Sequence, residues 1–177
     1  NEYLLNNSDL IIDHSKKRII FNKKVVNINK NLFIPKNFIV KGQAGLIINL
    51  IDGSSIYSKS ALNFHGTKIN PIKITSSYLN GGGLVIISSK TESIFINTIF
   101  ENLTSPNFGS SGLTGSITIY NANVSFQECT FYKNKSEDFL NLVHSRYQIS
   151  DSHFKSARSD AIDSDYSNGT IVNSIFT

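Results

Sequence analysis

The side chains whose spacing best suits chemistry are acidic. Asp138 and Asn141 recur 22 residues later as Asp160 and Asp163, with Glu137 and Asp165 beside them. If one structural repeat separates the two sets, they lie side by side. Carboxylates grouped in this way coordinate Ca²⁺ through oxygen ligands or act as an acid/base pair at a glycosidic bond. The plainer expectation is a turn ladder, in which Asp and Asn bond to backbone groups at stacked corners. Ca²⁺ is therefore a possible cofactor, with no metal ligand set assured. His144, just after the acidic segment, is the histidine best placed to assist a metal or substrate site, although a surface or turn role is the simpler reading.

The remaining reactive groups carry weaker signals. His153 is expected to face outward, and His14 and His65 have no evident partner. Cys129 is the only cysteine, which excludes an internal disulfide and a cysteine-based metal cluster. Its neighbours predict a small buried thiol and not a nucleophile. Gly81, Gly82 and Gly83 are not followed by Lys-Ser/Thr, so they read as a turn and not as a phosphate loop.

An internal repeat says which elements must hold these groups. Phe100, Phe131, Phe154 and Phe176 are spaced by 31, 23 and 22 residues. Five positions before each stands Phe95, Phe126, Ile149 or Ile171. Three before stands a polar residue (Asn97, Glu128, Asp151, Asn173), and two before a small one (Thr98, Cys129, Ser152, Ser174). Strands alternate faces, so the two apolar positions point inward on either side of a bend. The polar residue occupies the bend, where a left-handed backbone is tolerated best by Asn and Asp. The small residue fits inside the corner.

A unit of about 22 residues holds three short strands and three turns, which is one coil of a β-helix. Stacking like on like turns Phe100, Phe131, Phe154 and Phe176 into one core column. The 31-residue interval implies a protruding loop, assigned to Thr104–Gly115 with Pro106, Gly109, Gly112 and Gly115. The expected class is all-β, a right-handed parallel β-helix over residues 31–177, preceded by cap strands within 1–30. The chain stops in mid-coil after Phe176, so the solenoid is expected to continue in a longer polypeptide with further domains.

Composition agrees with this class. Charged residues are only 17% of the chain, Met is absent and the hydrophobic fraction is 40%, which suits strands and turns more than helices laced with ion pairs. The net charge of +4 is uneven: residues 1–60 carry +5, residues 61–120 carry +1 and residues 121–177 carry −2. Lys16, Lys17, Arg18, Lys23 and Lys24 flank Ile19-Ile20-Phe21 and read as a protected strand edge. Nucleic acid is not an expected partner. No apolar run approaches the length of a membrane-spanning helix. Asn102, Asn123, Asn134 and Asn168 begin Asn-x-Ser/Thr sequons, as expected by chance in so Asn- and Ser-rich a chain.

The segments Asn63-Phe64-His65-Gly66-Thr67, Pro71-Ile72-Lys73-Ile74-Thr75-Ser76, Ser136-Glu137-Asp138-Phe139-Leu140-Asn141 and Ser159-Asp160-Ala161-Ile162-Asp163-Ser164-Asp165 resemble bacterial right-handed parallel β-helix repeat proteins. These include carbohydrate-active enzymes and surface β-helices attached to spore-coat-type kinase domains. The resemblance implies an exported or cell-surface protein and a polysaccharide partner, but not one activity. Polygalacturonase-like members carry adjacent aspartates, Gly-His-Gly and Arg-x-Lys. Here Asp160 and Asp163 are separated, the only His-Gly is His65-Gly66, and Arg18-Ile19 is followed by Ile20. Arg146 and Arg158 are available as bases, with no spacing that singles them out. The expected function is a non-catalytic glycan-binding or rigid structural module. The alternative is a polysaccharide lyase, hydrolase or epimerase fragment using carboxylates on adjacent coils.

Overall fold

Short extended runs separated by tight corners leave each coil with one apolar face, which only another coil can cover. The computed structural model describes residues 9–108 and 111–177, and these form a β-solenoid of about seven turns with no helix. Three sheets run along its length. The first contains Leu10–Asp13, Arg18–Phe21, Ile39–Gln43, Ala61–His65, Ser93–Ile96, Asn123–Gln127, Arg146–Ser150 and Asn168–Val172. The second contains Val25–Ile28, Ile47–Leu50, Ile72–Thr75, Thr98–Glu101, Thr130–Tyr132, His153–Lys155 and Ile175–Phe176. The third contains Leu32–Ile34, Ile56–Ser58, Leu84–Ile87, Gly115–Tyr120, Asp138–Val143 and Ile162–Asp165.

Neighbouring strands within the three sheets are parallel, except that Leu10–Asp13 pairs antiparallel with Arg18–Phe21. Arg18–Phe21 and Val25–Ile28, which the sequence places among the terminal strands before residue 31, already pair in parallel with Ile39–Gln43 and Val25's partner strand Ile47–Leu50. The parallel ladder thus begins earlier than the repeat suggests.

The core is a set of like-on-like columns. Phe100, Phe131 and Phe154 are fully buried, with ring centroids 5.1 Å and then 4.2 Å apart and planes within 12°. Phe176 continues the column at 4.8 Å and is 47% exposed. Phe95 stacks on Phe126 at 5.1 Å and meets Phe100 edge-on at 5.4 Å. Offset-stacked and edge-on contacts suit the ring quadrupoles, adding about 0.5–1.5 kcal/mol per pair to simple burial.

The corners repeat as regularly. Asn97, Glu128, Asp151 and Asn173 all adopt a left-handed backbone, with φ of 45°, 52°, 50° and 50°. The small residue that follows each turns inward and closes the hydrogen-bond account. Ser152 Oγ accepts the Cys129 N–H at 3.1 Å and donates to the Ser150 carbonyl at 2.8 Å. Ser174 Oγ accepts the Ser152 N–H at 3.2 Å. The corner between the third and first sheets obeys the same rule. Ser88, Asn121, His144 and Tyr166 are left-handed there, with φ of 51°, 49°, 49° and 49°, and Ser89, Ala122, Ser145 and Ser167 follow them.

The 31-residue interval does carry an insertion. Asn107–Phe108 and Ser111–Gly112 form a small antiparallel ladder added to the coil, while Phe95 still lies opposite Phe126. Gly109, part of the expected loop, lies outside the described residues. The Tyr57 hydroxyl tethers this hairpin by donating to the Asn107 carbonyl at 2.6 Å. Gly81, Gly82 and Gly83 serve close approach instead of a left-handed turn. An added Cβ would lie 2.2 Å from the Leu50 carbonyl oxygen, 2.0 Å from Ser55 Oγ and 2.0 Å from the Ser116 carbonyl oxygen, respectively.

Candidate functional site

The acidic residues lie on or beside the last two strands of the third sheet. Asn141 sits opposite Asp163 and Val143 opposite Asp165, as the 22-residue spacing requires. The Asn141 amide donates to Asp163 Oδ2 at 2.7 Å, so the carboxylate is engaged by its neighbour on the previous coil. Asp138 is buried beside Thr114, whose side chain hydrogen-bonds to it. Burial raises its pKa above the ordinary carboxylate value; the charges of Asp163, Glu137 and Asp160 add to the rise, and the Thr114 bond opposes it. Glu137, Asp160 and Asp165 are exposed.

Asp163 and Asp138 are thus each held by a neighbouring side chain, that of Asn141 and that of Thr114. Among the described residues, no group of three or more His, Cys, Asp or Glu side chains is arranged to hold a metal ion. The Asn141–Asp163 pair is a ladder bond between coils, in the manner of Asn49 Nδ2 donating to Asn27 Oδ1 at 2.9 Å near the other end of the solenoid.

His144 has a different setting. Its left-handed backbone carries the ring out of the corner between the third and first sheets. Tyr166, one coil on, stacks on it with centroids 5.1 Å apart and planes 16° apart. Tyr120, one coil back, meets it edge-on at 6.1 Å. Tyr166 is 87% exposed and Tyr120 45% exposed, so three rings form a solvent-facing row along one corner. Sequence inspection singled out His144 but missed both tyrosines. Asn121, His144 and Tyr166 are spaced by 23 and 22 residues, each before a small inward residue, and that second copy of the corner rule was the available signal.

On the third sheet itself, towards the N terminus and in the column that later holds Asn141 and Asp163, Phe33 stacks on Tyr57 at 5.1 Å and 15°. The pair lines a shallow pocket of about 510 Å³ together with Ile34, Pro35, Lys36 and Lys59. Phe33 is about half exposed, while Tyr57 is buried.

Cys129 is buried, with Sγ 3.4 Å from the Phe95 and Gln127 carbonyl oxygens, and burial pushes its thiol pKa up to about 12. His153 lies opposite Thr130 and Ile175, its Nε2 3.0 Å from Thr177 Oγ1. His14 packs edge-on against Phe38 at 5.9 Å. Arg158 donates to the Lys135 carbonyl at 3.0 Å, and Arg146 lines a shallow cleft with Glu92 and Tyr147. No helix among the described residues is long and apolar enough to cross a membrane. No family model, curated protein or solved structure matches the chain.

Proposed function

We propose that the chain is a non-catalytic glycan-binding module of an exported or cell-surface protein, wound as a right-handed β-helix. The observation that carries this reading is the exposed row Tyr120–His144–Tyr166, fixed at one corner of three successive coils. Pyranose rings present a flat face of C–H groups, and aromatic faces attract such groups through their negative quadrupole. A row rising one ring per coil suits a polymer better than a compact ligand. His144 and Tyr166 hold left-handed corner positions and Tyr120 precedes one, so the backbone under the row is set in advance and need not be ordered on binding. Against the enzymatic alternative stands the engagement of Asp163 by Asn141 and the burial of Asp138.

The test is calorimetric titration with a panel of oligosaccharides, using the native chain and the variants Tyr166→Ala and His144→Ala. Both side chains are exposed, so truncation spares the core. The expected result is at least one ligand whose affinity falls about tenfold in each variant. Binding that ignores both substitutions, or no binding to any glycan, refutes the reading. Turnover of a bound oligosaccharide would restore the enzymatic one.

A further inference from the structure

The corner that carries the aromatic row also carries a row of lysines. Lys36, Lys59 and Lys90 follow Leu32–Ile34, Ile56–Ser58 and Leu84–Ile87, at the turns equivalent to those holding Tyr120, His144 and Tyr166. All three lysines are exposed, and together they line one cleft with Asn37, Ser60 and Ser88. The four ion pairs among the described residues use Lys16, Lys23, Lys68 and Lys73. The ammonium groups of Lys36, Lys59 and Lys90 thus have no carboxylate within ion-pair reach among the described residues. One unneutralised charge per coil, on three consecutive coils, is an electrostatic track parallel to the solenoid axis.

Three like charges held side by side repel one another, which an anionic partner relieves. Stacked coils rise by about 4.8 Å each, which places the charges at roughly the repeat of a sugar in an extended chain. The Phe33–Tyr57 pair borders the first two lysines, so rings and charges adjoin at this end as well.

We propose that the ligand is a linear acidic glycan lying along this corner. Its rings rest on Tyr120, His144 and Tyr166, and its carboxylate or sulfate groups meet Lys90, Lys59 and Lys36. This rests on the glycan-binding reading above and adds ligand charge, direction and length. The six coils involved span roughly 24 Å, so affinity grows with oligomer length until that span is filled.

The experiment titrates the chain with oligouronates of increasing length, with sulfated dextran oligomers and with carboxyl-reduced oligouronates, at low and at high salt. It compares the native chain, the triple variant Lys36→Gln/Lys59→Gln/Lys90→Gln, and a control of equal charge loss elsewhere, Lys133→Gln/Lys135→Gln/Lys155→Gln. Circular dichroism establishes that each is folded. The expected result is a loss of about tenfold or more for acidic oligomers in the first triple variant alone, with a weakened salt dependence. A preference for one acidic series supports the proposal and identifies the anionic group. Equal losses in both triple variants, or equal affinity for acidic and reduced oligomers, overturns the lysine track while leaving glycan binding intact. Binding to none of the series overturns both.

Discussion

Truncating Phe131 to Ala tests the columnar core most directly. The ring is fully buried, stacked on Phe100 at 5.1 Å and on Phe154 at 4.2 Å, and edge-on to Phe126 at 5.3 Å. A buried Phe→Ala change costs about 3–5 kcal/mol, and rings on both sides give the cavity little chance to collapse, so about 4 kcal/mol is expected. With a urea slope of about 2–3 kcal/mol/M for a chain of this size, the midpoint falls by about 1.3–2 M. Phe176→Ala is the internal comparison. Its ring is 47% exposed and stacks on Phe154 alone among the column residues described, so it is expected to cost about 1 kcal/mol. The assay is equilibrium urea unfolding followed by circular dichroism, with the slope checked for constancy. Equal midpoint shifts for Phe131→Ala and Phe176→Ala would refute the column as the source of stability.

Three further outcomes follow from other contacts. Because the Cys129 thiol titrates near 12 when folded against 9.0 in the reference state, its contribution is complete below pH 9 and is lost as pH rises towards 12. Cys129→Ala should therefore lose less stability than the native chain between pH 9 and 11 in urea titrations. The raised pKa of Asp138 means that its contribution is present below about pH 4 and declines as pH rises through the folded value. Asp138→Asn should then gain stability relative to the native chain on going from pH 3 to pH 7, read from paired thermal melts. Gly83→Ala would drive a methyl to within 2.0 Å of the Ser116 carbonyl oxygen, and should lower the melting temperature by several degrees.

The fold was legible because a solenoid repeats its physics. The inward Phe, the left-handed polar residue and the small corner residue are each needed once per coil, so four copies made their roles visible. Glu128 was the least expected occupant of the bend, yet its φ of 52° matches that of Asp151. The N-terminal coils were harder to read because they fill the same column with Val and Ile: Val26, Ile48 and Ile74 lie in register below Phe100, are as buried as any Phe and carry no distinctive spacing. Recurrence alone placed Asn141 against Asp163, but it could not say whether that pair would face a ligand or each other; a 2.7 Å bond decides for each other. The rings flanking His144 escaped notice because Tyr120 precedes the left-handed residue of its corner whereas His144 and Tyr166 occupy it. Gly81–Gly83 lie in the connection between the second and third sheets, as expected, but the sequence does not show that tight backbone packing, and not a positive φ, requires glycine there.

The antiparallel pair Asn107–Phe108 and Ser111–Gly112 sits on a coil whose neighbours stay in register although the chain between Phe95 and Phe126 is nine residues longer than that between Ile149 and Ile171. Contour length and axial rise are thus separate variables in this scaffold. A foreign peptide spliced into this insertion would lengthen the detour without shifting the columns above or below it. The coil is a natural socket, and diversification there leaves the rest of the spiral untouched.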